Sequence, residues 1–262
     1  MKLPFYWVDA FAERTFAGNP AGVVPLESWI DDRLMQSIAA ENNLAETAFF
    51  VPKGRDFQLR WFTPTVEVAM CGHATLASGH VVMTALESMR TSVTFHSLSG
   101  PLGVARDGER CALDFPNRAP TPIAVPAWLG PALGAKAVEL HEAPGENLLA
   151  VLPSAKEVRG LAPNMPALAK GLGQRGIIVT APGEDVDFVS RYFAPNHGIP
   201  EDPVTGSAHC TLTPYWAKRL GKTTLEARQV SARGGRLTCT LKGDRVAIAG
   251  RAITYMTGTI EV

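Results

Sequence analysis

The sequence predicts an α+β fold of two pseudo-symmetric halves, each a mixed, curled β-sheet around a central buried helix. Three observations predict it. The first is an internal repeat: Arg60, Phe62 and Pro64 recur 131 positions later as Arg191, Phe193 and Pro195, and Glu67, Gly72 and Ala74 recur 134 positions later as Glu201, Gly206 and Ala208. One internal copy is too few for a solenoid, which needs about three units or more, so it points to two related halves. The second is a pair of helix-length stretches, 68–86 and 206–217, that contain no Asp, Glu, Lys or Arg. A helix without a polar face has to be buried all round. The third is that strands come in runs joined by hairpin turns, which disfavours a doubly wound parallel sheet.

Taken in order, residues 3–9 are apolar and aromatic and read as a strand. Gly18-Asn19-Pro20 is turn chemistry, followed by an apolar run over 21–24. Asp31-Asp32 cap a helix over 33–40, their charge suiting the positive end of its dipole. Segments 46–51 and 57–62 read as strands with Pro52-Lys53-Gly54 between them. The first uncharged helix is expected from Gly72 to Leu86. Strands follow at 92–96, 102–105 and 110–115, with Asp107-Gly108 as a hairpin turn.

Prolines 116, 120, 122 and 126 resist both sheet and helix, which sets the domain boundary: a first half over 1–118 and a second over 119–262, with the option that the last strand returns to the first half. The second half repeats the order. Strands are expected at 138–140 and 148–152, helical pieces at 155–161 and 166–172, and strands at 177–180 and 187–193. The second uncharged helix runs from Gly206 to about Ala217, where Pro214 should kink it or expose a carbonyl. Past Gly221 the chain is strand-rich, with turns at Gly234-Gly235 and Lys242-Gly243-Asp244.

Composition narrows the function. Lys plus Arg and Asp plus Glu are 25 each over 262 residues, and no basic stripe stands out, so nucleic acid is not the expected partner. Four cysteines (71, 111, 210 and 239) show neither C-x-x-C pairing nor zinc-ligand spacing. The start, MKLPFYWVDAF, does not read as a secretory leader, and a cytoplasmic protein with reduced thiols is expected. His73, His80, Gly72 and Gly79 make 68–86 poor for lipid, so no membrane span is expected.

Both repeated blocks end in a glycine that opens a helix, Cys71-Gly72-His73 and Thr205-Gly206-Ser207. Free first-turn amides, the positive dipole end and a residue with no side chain make each a candidate anion cradle. Two cradles facing one cleft would grip a small carboxylate-bearing molecule. An ordinary tightly packed helix start is the competing reading, and the duplication tips the balance towards a site. Glu46 stands at the mouth of an apolar strand, its second-half counterpart lying near Ile177, and Asp202 is matched by Val68. Unmatched acids on a symmetric scaffold are where function should break the symmetry, and a buried carboxyl is a proton shuttle near neutral pH. Against this, Glu46 reads equally well as a capped or paired surface residue. Glu67 and Glu201 match each other and read as structural. His73 could donate to a substrate oxygen or simply begin a helix. Ser207 could bind an anion, His209 reads as structural, and Asn19 is a turn residue or a substrate amide. Cys71 is a thiol at a helix start, but Thr205 occupies the matching position, which argues against paired-cysteine chemistry. No phosphate loop, dinucleotide fingerprint or metalloprotease motif occurs, and no cofactor or metal is implied.

The motifs Phe16-Ala-Gly-Asn-Pro-Ala-Gly, Asn43-Leu-Ala-Glu46-Thr-Ala-Phe, Phe62-Thr-Pro with Cys71-Gly-His-Ala-Thr75, and Glu201-Asp-Pro-Val-Thr-Gly-Ser-Ala-His209, in that order, resemble the phenazine-biosynthesis PhzF-like family. The resemblance runs from about residue 5 to 216. It implies the diaminopimelate-epimerase-like fold, a homodimer, and cofactor-free isomerase chemistry. By the same resemblance, the glutamate matching Glu46 moves a proton between carbons, residues matching His73, Asp202 and Ser207 assist, and backbone near Gly72 and Gly206 holds the substrate carboxylate. Thr205 departs from the related epimerases, which carry cysteine there, and fits the non-thiol branch. Fold and proton-transfer class carry over better than a particular reaction. The expectation is thus an isomerase with Glu46, His73 and Asp202 as catalytic groups and Asn19, Gly72, Gly206 and Ser207 on the substrate. The competing readings are a non-catalytic ligand-binding or interaction module and an epimerase using Cys71.

Overall fold

The computed structural model describes residues 1–145 and 147–262. They form two compact units, one of Met1–Asp114 with Ala249–Val262 and one of Phe115–Ile248. The division falls inside the strand Arg110–Pro116, four residues before the 118/119 position expected from the prolines.

The first unit contains β1 (Lys2–Ala10), β2 (Asn19–Pro25), α1 (Asp32–Asn42), β3 (Glu46–Lys53), β4 (Asp56–Phe62), β5 (Glu67–Val68), α2 (Gly72–Val81), β6 (Ser92–Ser97), β7 (Gly100–Asp107) and β8 (Arg110–Pro116). β1 and β2 pair antiparallel, β2 and β3 parallel, β3 and β4 antiparallel. β4 then takes β5 antiparallel and β6 parallel, and β6–β7–β8 close as an antiparallel meander.

The second unit repeats this. It contains β9 (Thr121–Ile123), α3 (Leu129–Leu133), β10 (Glu139–Ala143), β11 (Asn147–Val151), α4 (Ala155–Arg159), α5 (Met165–Leu172), β12 (Gly176–Pro182), β13 (Phe188–Ala194), β14 (Ile199–Asp202), α6 (Gly206–Leu220), β15 (Thr224–Gln229), β16 (Gly235–Lys242) and β17 (Arg245–Gly250). β10–β11 is antiparallel, β11–β12 parallel and β12–β13 antiparallel; β13 takes β14 antiparallel and β15 parallel, and β15–β16 is antiparallel. β9 flanks β10, and the last strand β18 (Ala252–Glu261) flanks β1 in the corresponding place, both antiparallel. The C-terminal strand therefore completes the sheet of the first unit.

Each mixed sheet is curled about one helix. α2 packs against β1, β2, β3 and β7 and buries nine of its ten residues. Its two hydroxyls are satisfied inside the helix: Ser78 Oγ donates to the Ala74 carbonyl at 2.8 Å and Thr75 Oγ1 to that of Cys71. α6 packs against β15 and β16. The opposite sheet faces are covered by α1, with Met35 and Ile38 on Phe49 and Phe62, and by α3–α5 around Leu133, Leu168 and Ile177.

Two helices differ from expectation. α2 ends at Val81 and a π-helical turn, Val82–Leu86, continues it. α6 runs unbroken through Pro214 to Leu220, stopping at left-handed Gly221. The carbonyl that Pro214 frees belongs to Cys210, and the Arg118 backbone N–H donates to it at 3.0 Å, so the helix continues with no unsatisfied acceptor. Among the described residues no helix is long and apolar enough to cross a membrane.

Gly79 lets α2 approach β7: a Cβ there would stand 2.5 Å from Val104 Cγ1 and 2.8 Å from its Cβ. Gly79→Ala is expected to cost about 1–3 kcal/mol by overpacking, with Val104→Ala recovering part of the loss in the double variant. Urea denaturation of the three variants measures this, and additive losses would show that the contact does not matter.

Candidate active site

In the first unit the sheet and α2 bring four predicted residues together. Asn19 opens β2, Glu46 opens β3 beside Ala21 of β2, and Gly72-His73 open α2 with Cys71 as its N-cap residue. His73 Nε2 lies 3.2 Å from Glu46 Oε2. On the other side of the ring, Nδ1 lies 3.1 Å from Asn19 Nδ2 and 3.5 Å from Cys71 Sγ. Asn19 is fully buried, while the Glu46 side chain is 14% exposed. Burial drives the His73 imidazole down to about 3, a hydrogen bond with the Pro20 backbone opposing it only in part. The ring is therefore neutral, and it donates a hydrogen bond to the carbonyl of Pro20, the only polar backbone group a proline offers.

The backbone before Asn19 is constrained. Phe11 and Phe16 adopt φ of 57° and 68°, a region that costs bulky side chains strain. Gly18 has φ 70°, and a Cβ there would meet the Ala10 carbonyl at 2.2 Å. The Phe16 N–H donates to Asp9 Oδ2 at 3.0 Å, which holds the loop.

In the second unit Asp202, Gly206 and Ser207 meet at the start of α6. Thr205 Oγ1 donates to Asp202 Oδ2 at 2.6 Å. Gln229, fully buried at the end of β15, fixes this turn: its Oε1 accepts from the Thr205 N–H at 2.8 Å, and its Nε2 donates to the Asp202 carbonyl at 2.8 Å and to Thr205 Oγ1 at 3.2 Å. The Asp202 charge adds to burial in pushing the Tyr192 hydroxyl up to about 12. His209 is structural: Nδ1 donates to the Thr205 carbonyl at 2.8 Å, the bond that Thr75 makes to Cys71 in the first unit, and burial lowers its pKa to about 4.

The duplicated residues hold the turns. Arg60 grips Glu67 with two bonds of 2.7 and 2.8 Å, and Arg191 grips Glu201 with 2.6 and 2.7 Å. Ser99 Oγ donates to the Ala69 carbonyl at 2.8 Å, and Ser231 Oγ to that of Pro203 at 2.7 Å. α1, α4 and α5 are capped by side chains of Asp31, Ser154 and Asn164, whereas α2 and α6 have no side-chain cap. Their first-turn amides are left for another acceptor.

The unmatched acids keep their asymmetry. Thr47 pairs with Phe62 as Ile177 pairs with Phe193, so Glu46 corresponds to Gly176, adjacent to Ile177. A Cβ at Gly176 would meet the Tyr192 hydroxyl at 2.2 Å and Asn147 Oδ1 at 2.7 Å, and these two atoms are hydrogen-bonded to each other at 2.9 Å. No side chain fits where the first unit carries its acid. Sequence reading missed Gln229, Ser99 and Ser231. The serines recur at an offset of 132, which was a usable signal; Gln229 is one polar residue in an alternating strand and offered none.

Comparison with known proteins agrees with this architecture. The chain matches the family described as phenazine biosynthesis-like protein, PhzC-PhzF, over residues 8–258. It is 50% identical, over the full length of both chains, to a Pseudomonas aeruginosa protein described as an uncharacterized isomerase. The crystal structure of a PhzF-family protein from Enterococcus faecalis superposes with a TM-score of 0.96 at 48% identity, covering all of both chains. A hydroxyproline epimerase from Agrobacterium vitis, 14% identical, shares the fold alone, with a TM-score of 0.63 over 99% of this chain and 92% of that one. The chain belongs to the phenazine biosynthesis-like family and has its epimerase-like fold.

Two outcomes are expected. Gln229→Leu strands a buried N–H and carbonyl and should cost about 1–3 kcal/mol in urea denaturation; unchanged stability would remove Gln229 as an anchor. His73 and His209 are held neutral, so below the unfolded value of 6.5 the unfolded chain binds protons that the fold refuses. Stability should be full above about 6.5 and fall as pH drops towards 4 and 3, by a few kcal/mol. A flat profile in this window for the wild type, or an unaltered slope in His209→Gln, would contradict it.

Proposed function

We propose that this member of the phenazine biosynthesis-like family is a cofactor-independent isomerase that moves a proton between carbons of a small carboxylate-bearing metabolite, with Glu46 as the shuttle. The observation that carries the reading is Glu46 at 3.2 Å from a neutral, buried His73 whose other nitrogen is held by Asn19. Relatives described as isomerases and an epimerase of the same fold support the reaction class.

In the proposed reaction the Glu46 carboxylate takes a proton from a substrate carbon, and the electron pair of that C–H bond delocalises towards an adjacent unsaturated group. The same carboxyl then returns the proton to a second carbon, so no hydrogen or electron is gained or lost. A part-buried carboxyl beside a neutral imidazole suits both directions of the transfer. His73, 3.2 Å away, flanks the carboxylate through the two steps. The uncapped amides at Gly72 are assigned to the substrate carboxylate, a role that the family resemblance also gives to Gly206 and Ser207. Asp202, fixed by Thr205, is the second acid–base group. These roles in the second unit rest on the duplicated motifs and the family resemblance.

A second reading has its own observation. Cys71 Sγ lies 3.5 Å from His73 Nδ1, an arrangement that could serve a thiol-based epimerase.

Incubating candidate carboxylic acids with the enzyme in deuterium oxide and following carbon-bound deuterium by NMR tests both. Wild type should exchange, and folded Glu46→Gln should lose about 10²–10⁴-fold of the rate. Full exchange by that variant would remove Glu46 from the mechanism. Loss in Cys71→Ser with tolerance of Glu46→Gln would select the thiol reading, and ligand binding without any exchange would leave a non-catalytic module.

A further inference from the structure

We infer that Glu46, Cys71 and His73 form a capture site for a thiophilic divalent cation of the zinc class, which would silence these three side chains. One donor atom from each, a carboxylate oxygen, a thiol sulfur and an imidazole nitrogen, lies within 4.8 Å of the other two. Among the described residues no other three His, Cys, Asp or Glu side chains meet this condition. The donor set is selective. Zinc accepts sulfur, nitrogen and oxygen together and reaches an open tetrahedral site with three protein ligands. Magnesium and calcium prefer all-oxygen surroundings.

The spacing fits as well as the chemistry. Bonds of roughly 2.0–2.3 Å about a tetrahedral centre place donors on the order of 3.5 Å apart. One contact already stands near that value, Glu46 Oε2 to His73 Nε2 at 3.2 Å; Cys71 Sγ lies 3.5 Å from the other ring nitrogen, Nδ1, and the side chains have to turn so that both meet one nitrogen on the cation. Cys71 and His73 flank Gly72 at the start of a helix buried throughout, so one rigid element presents two of the three ligands. Asn19, buried and 3.1 Å from Nδ1, becomes the outer partner of a ligating histidine when its amide turns so that the oxygen accepts from that nitrogen. Binding releases the thiol proton to solvent and involves no change of oxidation state.

The test uses the full chain, stripped with chelator, and the metals alone. Zinc is measured by competition with a chromogenic chelator, and cobalt(II) by absorption. One cation per chain and a sulfur-to-cobalt charge-transfer band are expected. Cys71→Ser should abolish the band and weaken zinc by about 100-fold or more, whereas Asn19→Ala should weaken it by roughly 10–100-fold. Cys111→Ser, whose thiol is in β8, should leave both readings unchanged. X-ray absorption at the zinc edge of the wild type should show one sulfur ligand, whatever the folding of any variant. Failure to retain one equivalent, a cobalt spectrum without the sulfur band, a zinc edge without sulfur, or wild-type affinity in Cys71→Ser overturns the inference. None of these readouts needs a substrate, so this site and the proposed proton transfer stand or fall separately.

Discussion

The structure depends on enclosing a helix that has no polar face. α2 buries nine of its ten residues, so its sheet has to curl around it rather than lie flat. Enclosure has a second effect at the helix start. The surface helices α1, α4 and α5 satisfy first-turn amides with Asp31, Ser154 and Asn164, but α2 begins at Cys71 with no side-chain cap. Free amides, a glycine and a neutral histidine collect there because solvent and charged caps are excluded from the body of the helix. α6 begins in the same way at Thr205.

Duplication separates scaffold from chemistry. What the halves share is mechanical: the Arg60–Glu67 and Arg191–Glu201 clamps, the Ser99 and Ser231 bonds to the segments before the glycines, and the carbonyl bonds of Thr75 and His209. Each holds the backbone and could not be lost from either copy without loosening its turn. What they do not share is chemical. Glu46 is answered by Gly176, where the Tyr192 hydroxyl and Asn147 occupy the space. Asp202 is answered by Val68, and only the second unit ties its acid down through Thr205 and Gln229.

Most of the fold was legible because it was written locally. The repeated blocks marked the halves, and the uncharged stretches marked the helices without specifying where a π-turn would take over from α2. What was not legible involves partners distant in sequence. Pro214 was expected to kink its helix or expose a carbonyl, but the donor that takes the carbonyl it frees, the Arg118 N–H on Cys210, is nearly a hundred residues earlier. β18 showed strand character but nothing that named β1 as its neighbour. The counterpart of Glu46 was expected only as near Ile177, because the β3–β4 and β12–β13 registers are what define it as Gly176. At the candidate site, Glu46, His73, Asp202 and the glycines stood out by motif. Gln229 did not, since its importance lies in which backbone atoms it reaches.

The state of the Glu46–His73 contact follows from the same burial. An ion pair would place two charges where little water remains, and the desolvation penalty of such a pair often exceeds its Coulombic gain. The imidazole resolves the conflict by staying neutral, its pKa carried down to about 3. At most one charge then remains to be accommodated, on a carboxyl that keeps some exposure to solvent. Were His73 charged, it would hold Glu46 as a fixed anion and resist its protonation. A neutral imidazole adds no such bias, which suits the proton transfer proposed for Glu46. Asn19 lies 3.1 Å from Nδ1, at the end of a strained approach through Phe11, Phe16 and Gly18.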